Sequence, residues 1–156
     1  MPSLKCHVIS GVAISLKNWA GAVTRINLQD GPDTAFQIHR DSGADIGQMQ
    51  ALPVFRNKCR LIVVDAMEPY YERGPQTDPE YYYRYGGLVV GADPVAVDTV
   101  GTQVLQAIRN EVRGEPWPIS PPPKHIALAE EKYGLGVSDP QRIELVRLGA
   151  KDGMLI

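Results

Sequence analysis

The sequence lacks the features that mark membrane and secreted proteins. No apolar run approaches the roughly 18 residues that a helix needs to cross a bilayer. The opening residues, MPSLKCHVISG, do not show the charged and then apolar profile of a signal peptide. We therefore expect a cytoplasmic protein that does not insert into a membrane.

Cysteine is scarce, and its spacing gives no support to a metal centre. The two cysteines, Cys6 and Cys59, lie far apart, and the sequence contains no Cys-x-x-Cys pair. A structural zinc site or an iron–sulfur cluster held by this chain alone is therefore not expected. Two reduced thiols are typical of a cytoplasmic protein, although a disulfide between them is the alternative.

An excess of charge of either sign is also missing. Sixteen Lys and Arg residues against eighteen Asp and Glu residues give a net charge of −2. Nucleic-acid and anionic-membrane binders usually carry a basic patch, so the composition argues against both partners. The GxGxxG, Walker, GxSxG and HExxH motifs are absent, which removes the familiar routes to nucleotide, hydrolase and zinc-protease chemistry.

What the sequence does contain is an alternation of strand and helix patterns. Strands are predicted over residues 4–9, 60–66, 87–91 and 143–148. Helices are predicted over residues 12–22, 44–58, 93–113 and 125–133, and a turn over 30–33. At 156 residues this is the length of one domain. We predict a single α/β domain over residues 1–156, with a mostly parallel or mixed sheet and helices packed on it.

The segment 68–85, EPYYERGPQTDPEYYYRY, is predicted to be a long loop because it is polar and rich in proline. It holds six of the seven tyrosines, and we expect its middle to be mobile. Tyrosine is enriched in interfaces, so the Tyr-rich loop 70–85 is a candidate contact surface. Packing of the loop on its own domain is the alternative.

The first strand and helix carry candidate binding groups. Lys5 and His7 are two positions apart on a strand, so their side chains share a face. An amine beside an imidazole can bind an anion or transfer a proton. Lys17 and Asn18 end the following helix, where a lysine can also simply complement the helix dipole. A pair of surface residues is the alternative for Lys5 and His7.

The other two histidines are weaker candidates. His39 is followed by Arg40, and such a pair can bind a carboxylate or a phosphate. His125 follows Pro-Pro-Pro-Lys, and we expect it to face solvent at the start of a helix.

Three aspartates follow predicted strands. Asp65 ends one strand, and Asp93 follows the next as the N-cap of a helix. Asp98 lies on the edge of that helix's apolar stripe, where a buried carboxylate needs a partner. Helix-terminal amides, a lysine (Lys5 or Lys17) or a metal are the candidate partners. If the two strands are parallel neighbours, Asp65 and Asp98 meet at one edge of the sheet.

Five motifs occur in an order that resembles a known family. They are PSLKCHVISGVAISLKNWAGAV, RLIVVDAM, the dipeptide Gly74-Pro75, GGLVVGADPVAVDTVG and YGLGVSDPQRIELVRLGA. In this order, and across nearly the whole chain, they resemble the domain of unknown function 362 family. Cys6 stands where the family often has threonine, and Tyr70-Tyr71-Glu72-Arg73 replaces its Gly-rich approach to the Gly-Pro loop.

The resemblance implies a fold and a site rather than a reaction. It implies catalytic positions at Lys5, His7, Lys17, Asp65 and Asp98, and ligand-binding positions at Asn18, Gly74, Pro75 and Asp93. Family members are generally longer, with a further α/β region before the Lys-x-His segment, so we predict that this chain is the C-terminal portion of such an architecture. Some members carry a ferredoxin-like cysteine module, which this sequence lacks.

The expected function is that of an enzyme or enzyme fragment with a polar Lys/His/Asp site for a small anionic substrate or a metal. The alternative is a non-catalytic binding or assembly module that uses the Tyr-rich loop 70–85. Because the first strand begins at the edge of the sequence, we expect it to lack sheet neighbours on one side. That predicts one of two outcomes: self-association through residues 1–9, which would give a homo-oligomer, or poor order of this region.

Overall fold

A four-stranded mixed sheet forms the centre of the computed structural model, which describes residues 1–21, 37–76, 78–150 and 152–156. The strands are β1 (Ser3–His7), β2 (Gly11–Ala13), β3 (Ile62–Tyr70) and β4 (Gly87–Gly91), in the order β2–β1–β3–β4. Strand β1 is antiparallel to β2 and parallel to β3, and β3 is antiparallel to β4. The α/β prediction is confirmed. The turn predicted over residues 30–33 lies outside the described residues.

Five helices accompany the sheet in the described part of the chain. They are α1 (Ser15–Asn18), α2 (Ile46–Ala51), α3 (Pro53–Arg56), α4 (Pro94–Arg113) and α5 (His125–Tyr133). Pro53 divides the helix predicted over residues 44–58 into α2 and α3. Residues 11–13 are a strand and not the start of a helix, because they pair with β1. None of the described helices is both long and apolar enough to span a bilayer.

Helix α4 packs its apolar side chains against the sheet and forms much of the core. The carboxylate of Asp93 accepts the N–H groups of Val95 at 2.8 Å and Ala96 at 2.9 Å, and Gly114 ends the helix in the left-handed conformation. The apolar stripe packs against one face of the sheet in a single cluster: Val97, Val104, Leu105 and Ile108 with Leu4, Cys6, Ile62 and Val64. Both ends of this helix follow the sequence prediction, and its buried stripe does so as far as Ile108, whereas Val112 in the last turn is 46% exposed.

The opposite face of the sheet is partly open. Residues that alternate with the core positions, such as Lys5 and Asp65, line a cleft on this face. On the edge strand β4, Leu88 and Val90 are each 56% exposed. The sheet therefore presents polar groups near its middle strands and apolar groups towards β4.

Two predictions about strands are wrong. Residues 143–148 form no strand, and Leu148 is 82% exposed, because no described strand provides them with a hydrogen-bonding ladder. Strand β1 does not lack a neighbour, since the chain turns back through residues 8–10 to place β2 on one side while β3 pairs on the other. The geometric reason for self-association through residues 1–9 is therefore gone, although the oligomeric state itself stays a prediction.

The Tyr-rich segment is more regular than predicted. Residues 68–70 extend β3, Pro79–Tyr81 forms a turn of 3-10 helix, and Tyr70 pairs with Tyr82. Tyr70 and Tyr71 are buried, and each packs edge-to-face against Tyr81. The rings bury one another because each carries a large apolar area, so the segment packs on its own domain.

Candidate functional site

All three histidines of the chain share one neighbourhood with two lysines. We call this set the basic cluster: Lys5, His7, Lys17, His39 and His125. The rings of His7 and His39 stack with their centroids 5.3 Å apart and their planes 10° from parallel. The charges of Lys5 and Lys17 act on His7, and the charge of Lys17 also acts on His125. Long-range packing therefore unites groups that are spread over 120 residues of sequence.

His7 is held as a neutral hydrogen-bond donor. Its Nδ1 atom accepts the backbone N–H groups of Ile9 at 3.2 Å and Ser10 at 3.4 Å. The neutral ring therefore carries its proton on Nε2. Burial lowers the pKa of His7 to about 4, and the positive charges of Lys17, His39 and Lys5 act in the same direction.

His125 is fully buried, so the prediction that it faces solvent is wrong. The proline segment 121–123 packs directly on the turn between β1 and β2, where a Cβ added to Gly11 would lie 2.4 Å from the carbonyl oxygen of Pro121. This packing draws the start of α5 onto the fold. Neither ring nitrogen of His125 has a hydrogen-bond partner in the described part of the chain. Burial lowers the pKa of His125 to about 3, with Lys17 and His7 contributing further.

The two lysines face the histidines without a compensating acid. Burial, followed by the charge of Lys5, lowers the pKa of Lys17 to about 8. Among the residues that the structure describes, neither lysine forms an ion pair. Asn18, predicted to share the site, is exposed at the end of α1. In the described part of the chain, Lys5 and Lys17 therefore bring positive charge to the basic cluster without a paired carboxylate.

Asp98 is fully buried and belongs to the support of this cluster. One carboxylate oxygen accepts the N–H of Ser15 at 2.7 Å, and the other accepts the N–H of Leu16 at 3.2 Å. Asp98 thus anchors the first turn of α1, the helix that carries Lys17. Of the predicted partners, the helix-terminal amides are correct and a lysine is wrong. Burial raises the pKa of Asp98 to about 7, and the two N–H groups oppose that rise.

Asp65 does not join Asp98, which corrects the predicted shared edge. Strands β3 and β4 are antiparallel, so Asp65 lies opposite Leu88 while Asp93 lies beyond the end of β4. The neighbours of Asp65 in β3, Val64 and Ala66, are buried on the face that α4 covers. Asp65 therefore lies on the opposite face from Asp98. Both carboxylate oxygens of Asp93 already have partners: one caps α4, and the other accepts the N–H of Val137 at 2.9 Å.

A cleft of about 650 Å³ opens on the free face of the sheet beside the basic cluster. Its walls are Ser3, Leu4, Lys5, Asp65, Met67, Glu68, Tyr70, Pro75, Tyr82, Arg84, Tyr85 and Gly86. Three predicted site residues, Lys5, Asp65 and Pro75, therefore share this cleft, and Lys5 links it to the basic cluster. We call it the Tyr82 cleft.

Gly74 has a structural reason for being glycine. Its carbonyl oxygen accepts the N–H of Val8 at 2.8 Å, which ties the Gly-Pro segment to the end of β1. A Cβ atom on Gly74 would lie 2.1 Å from the carbonyl oxygen of Cys6, so no side chain fits there. Gly74 therefore positions Pro75 at the wall of the cleft.

The described residues hold no group of three or more His, Cys, Asp or Glu side chains arranged to bind a metal ion. The metal alternative thus gains no support from the geometry of the described residues. Cys6 and Cys59 are free thiols, and burial raises the pKa of Cys6 to about 12. Cys6 packs in the core, so its thiol does not take part in the site.

Replacing His125 with leucine should stabilise the protein, because it removes two buried nitrogen atoms that lack partners. We expect the free energy of unfolding to increase by about 1 kcal/mol at pH 7. The folded pKa of about 3 lies below the ordinary value of 6.5, so wild-type stability is complete above pH 6.5 and falls as the pH decreases towards 3. The advantage of His125→Leu should therefore grow by about 2 kcal/mol at pH 5.

Urea denaturation at pH 7 and pH 5 measures this difference. Ala127→Leu, at an exposed position of the same helix, is the control and should leave the pH dependence unchanged. A loss of stability in His125→Leu at both pH values would contradict the unpartnered state of the ring.

The sequence model of one protein family matches more than half of the chain. The family described as Domain of unknown function (DUF362) matches residues 1–103. That range contains the whole sheet, α1 and the first half of α4, and it includes every predicted site residue; His125 lies beyond it. No curated protein and no solved structure matches the chain. The chain belongs to the DUF362 family.

Proposed function

We propose that this chain binds a small anionic substrate at the basic cluster, as an enzyme or as part of one. One observation carries the proposal: the two lysines, His7 and the fully buried His125 lie together, and none of these four has a carboxylate partner in the described structure. Like charges brought together under partial burial repel one another. A bound carboxylate or phosphate would relieve that repulsion and supply acceptors for the donors.

The groups have distinct roles in this proposal. Lys5 and Lys17 supply the charge, since both are exposed enough to meet a ligand that enters from solvent. His7 supplies a neutral Nε2–H donor, and such a donor can hold a substrate oxygen atom on which negative charge develops. Proton transfer by His7 is disfavoured, because Nδ1 is already occupied by two backbone N–H groups. His125, whose two ring nitrogen atoms have no partner among the described residues, is the group that can take up a proton when the anion binds.

The histidines themselves provide the test. Since all three lie in the basic cluster, their side-chain NMR signals report on this site and on no other. Titration with inorganic phosphate should shift the signals of His7 and His125 with a saturable dependence. Binding should strengthen as the pH falls, because the anion favours the protonated form of His125.

Replacing Lys17 with methionine should weaken phosphate binding about tenfold, the loss expected for one hydrogen bond to a charged group. The same substitution should raise the pKa values of His7 and His125, because the charge of Lys17 lowers both. Lys132→Met, at an exposed position near the end of α5, is the matched control. Unchanged phosphate affinity in Lys17→Met, or an absence of shifts in the wild type, would overturn the proposal.

A further inference from the structure

We infer that the ligand carries a single anionic group on a planar, apolar body, and that this body occupies the Tyr82 cleft. The inference rests on the proposed function, because it names the class of molecule that the basic cluster would hold. The Tyr82 cleft adjoins the basic cluster through Lys5. This residue lines the cleft, and its charge also acts on His7 and Lys17. A ligand whose anion lies at the lysines therefore has the cleft directly beside it.

The walls of the cleft suit a flat apolar body. Tyr70, Tyr82 and Tyr85 line it together with Met67. The ring of Tyr70 is buried and packs edge-to-face against Tyr82 at 5.0 Å, which fixes the orientation of the second ring. Tyr82 is still 43% exposed, so part of its surface is free to contact a ligand. A volume of about 650 Å³ lies in the range of small-molecule sites.

The charges in the cleft limit the ligand to one anionic end. Asp65 and Glu68 line the cleft together with Lys5 and Arg84, and Arg84, whose side chain is 95% exposed, lies 3.9 Å from Glu68. An exposed pair of this kind is weak, so both carboxylates keep most of their negative potential. A second anionic group on the ligand would meet this potential and be repelled. The body of the ligand is therefore neutral.

Methyl phosphate and phenyl phosphate form the test pair, because they share the anionic group and differ in the body. We expect phenyl phosphate to bind wild-type protein about tenfold more tightly, from the contact of its ring with the tyrosines. Tyr82→Ala should remove most of that advantage and leave the affinity for methyl phosphate unchanged. Tyr83→Ala is the matched control, since the hydroxyl group of Tyr83 bonds to Glu111 and its ring is not part of the cleft.

Different outcomes overturn the proposed anion site and the proposed ligand body. Equal affinity for the two esters, with shifts of the histidine signals, would overturn the inference and leave the anion site intact. An equal loss for both esters in Tyr82→Ala would also overturn it, because the ring would then act on the anion and not on the body. If neither ester binds, the proposed function fails along with the inference.

Discussion

Replacing Arg109 with alanine should lower the free energy of unfolding by about 2–4 kcal/mol, because backbone carbonyl groups lose a charged donor and Glu72, whose side chain is 26% exposed, loses its ion-pair partner. Arg109 lies on α4 and is only 4% exposed. Its guanidinium pairs with Glu72 and donates to three backbone carbonyl groups. Its charge also lies 3.9 Å from the centre of the Trp117 ring.

These contacts join three segments that share no secondary structure. The acceptors Tyr71 O, Trp117 O and Pro118 O belong to the chain after β3 and to the connection between α4 and α5. Without the guanidinium, the carboxylate of Glu72 and the carbonyl groups of Tyr71 and Pro118 lose this donor together. The carbonyl group of Trp117 keeps the side-chain amide of Gln106 as a donor at 2.9 Å. Arg109→Lys should recover only part of the stability, because an ammonium group cannot reproduce the planar set of donors.

Urea denaturation at pH 7 measures these losses. Arg113→Ala is the matched control, one turn further along α4, where the side chain is half exposed and pairs with Glu115. It should cost less than about 1 kcal/mol. Equal costs for the alanine variants at positions 109 and 113 would show that the buried network does not hold these segments together.

The parts of the fold that sequence predicts well are those whose signals are local. Helix α4 is the clearest case, because Asp93, Pro94 and the apolar spacing specify its start and its buried face within a few residues of one another. The core strands were found for the same reason. The direction of β4 relative to β3 could not be predicted, because a buried apolar run looks the same in parallel and antiparallel pairs.

The residues of the candidate site were likewise predictable only where their arrangement depends on local sequence. Lys5 and His7 share a local strand, so their common face could be deduced, and Lys17 was placed correctly at a helix end. The joint role of Asp65 and Asp98 depended on strand direction and is wrong. His125 was missed because its burial arises from the contact of the proline segment with Gly11, which lies 110 residues away and leaves no local pattern. Arg109 was missed because an arginine beside an apolar stripe usually faces solvent.

Asp98 is buried, as the sequence indicates, and its hydrogen bonds connect α4 to the start of α1. The sequence indicates a buried carboxylate in need of a partner, and that part is correct. Its partners are the N–H groups of Ser15 and Leu16, so the carboxylate acts on the position of α1. Asp98 therefore holds the start of α1, the helix that carries Lys17.

Replacing Asp98 with alanine should lower the free energy of unfolding by about 2–4 kcal/mol, because two buried N–H groups lose their acceptor at once. Asp98→Asn keeps one acceptor oxygen and should cost about half as much. Phosphate affinity at the basic cluster should also fall in the alanine variant, since the helix that carries Lys17 loses its anchor. Thermal or urea denaturation, together with the phosphate titration, measures both effects.

Asp78→Ala is the matched control, since Asp78 also caps a helical turn through the N–H of Glu80 but is exposed. It should cost less than about 1 kcal/mol. A second comparison separates the amide partners from the predicted lysine. If Asp98 were paired with Lys17, Lys17→Met would destabilise the fold nearly as much as Asp98→Ala, and the double variant would cost little more than either. With the amides as partners, Lys17→Met should leave stability nearly unchanged, and the two effects should add.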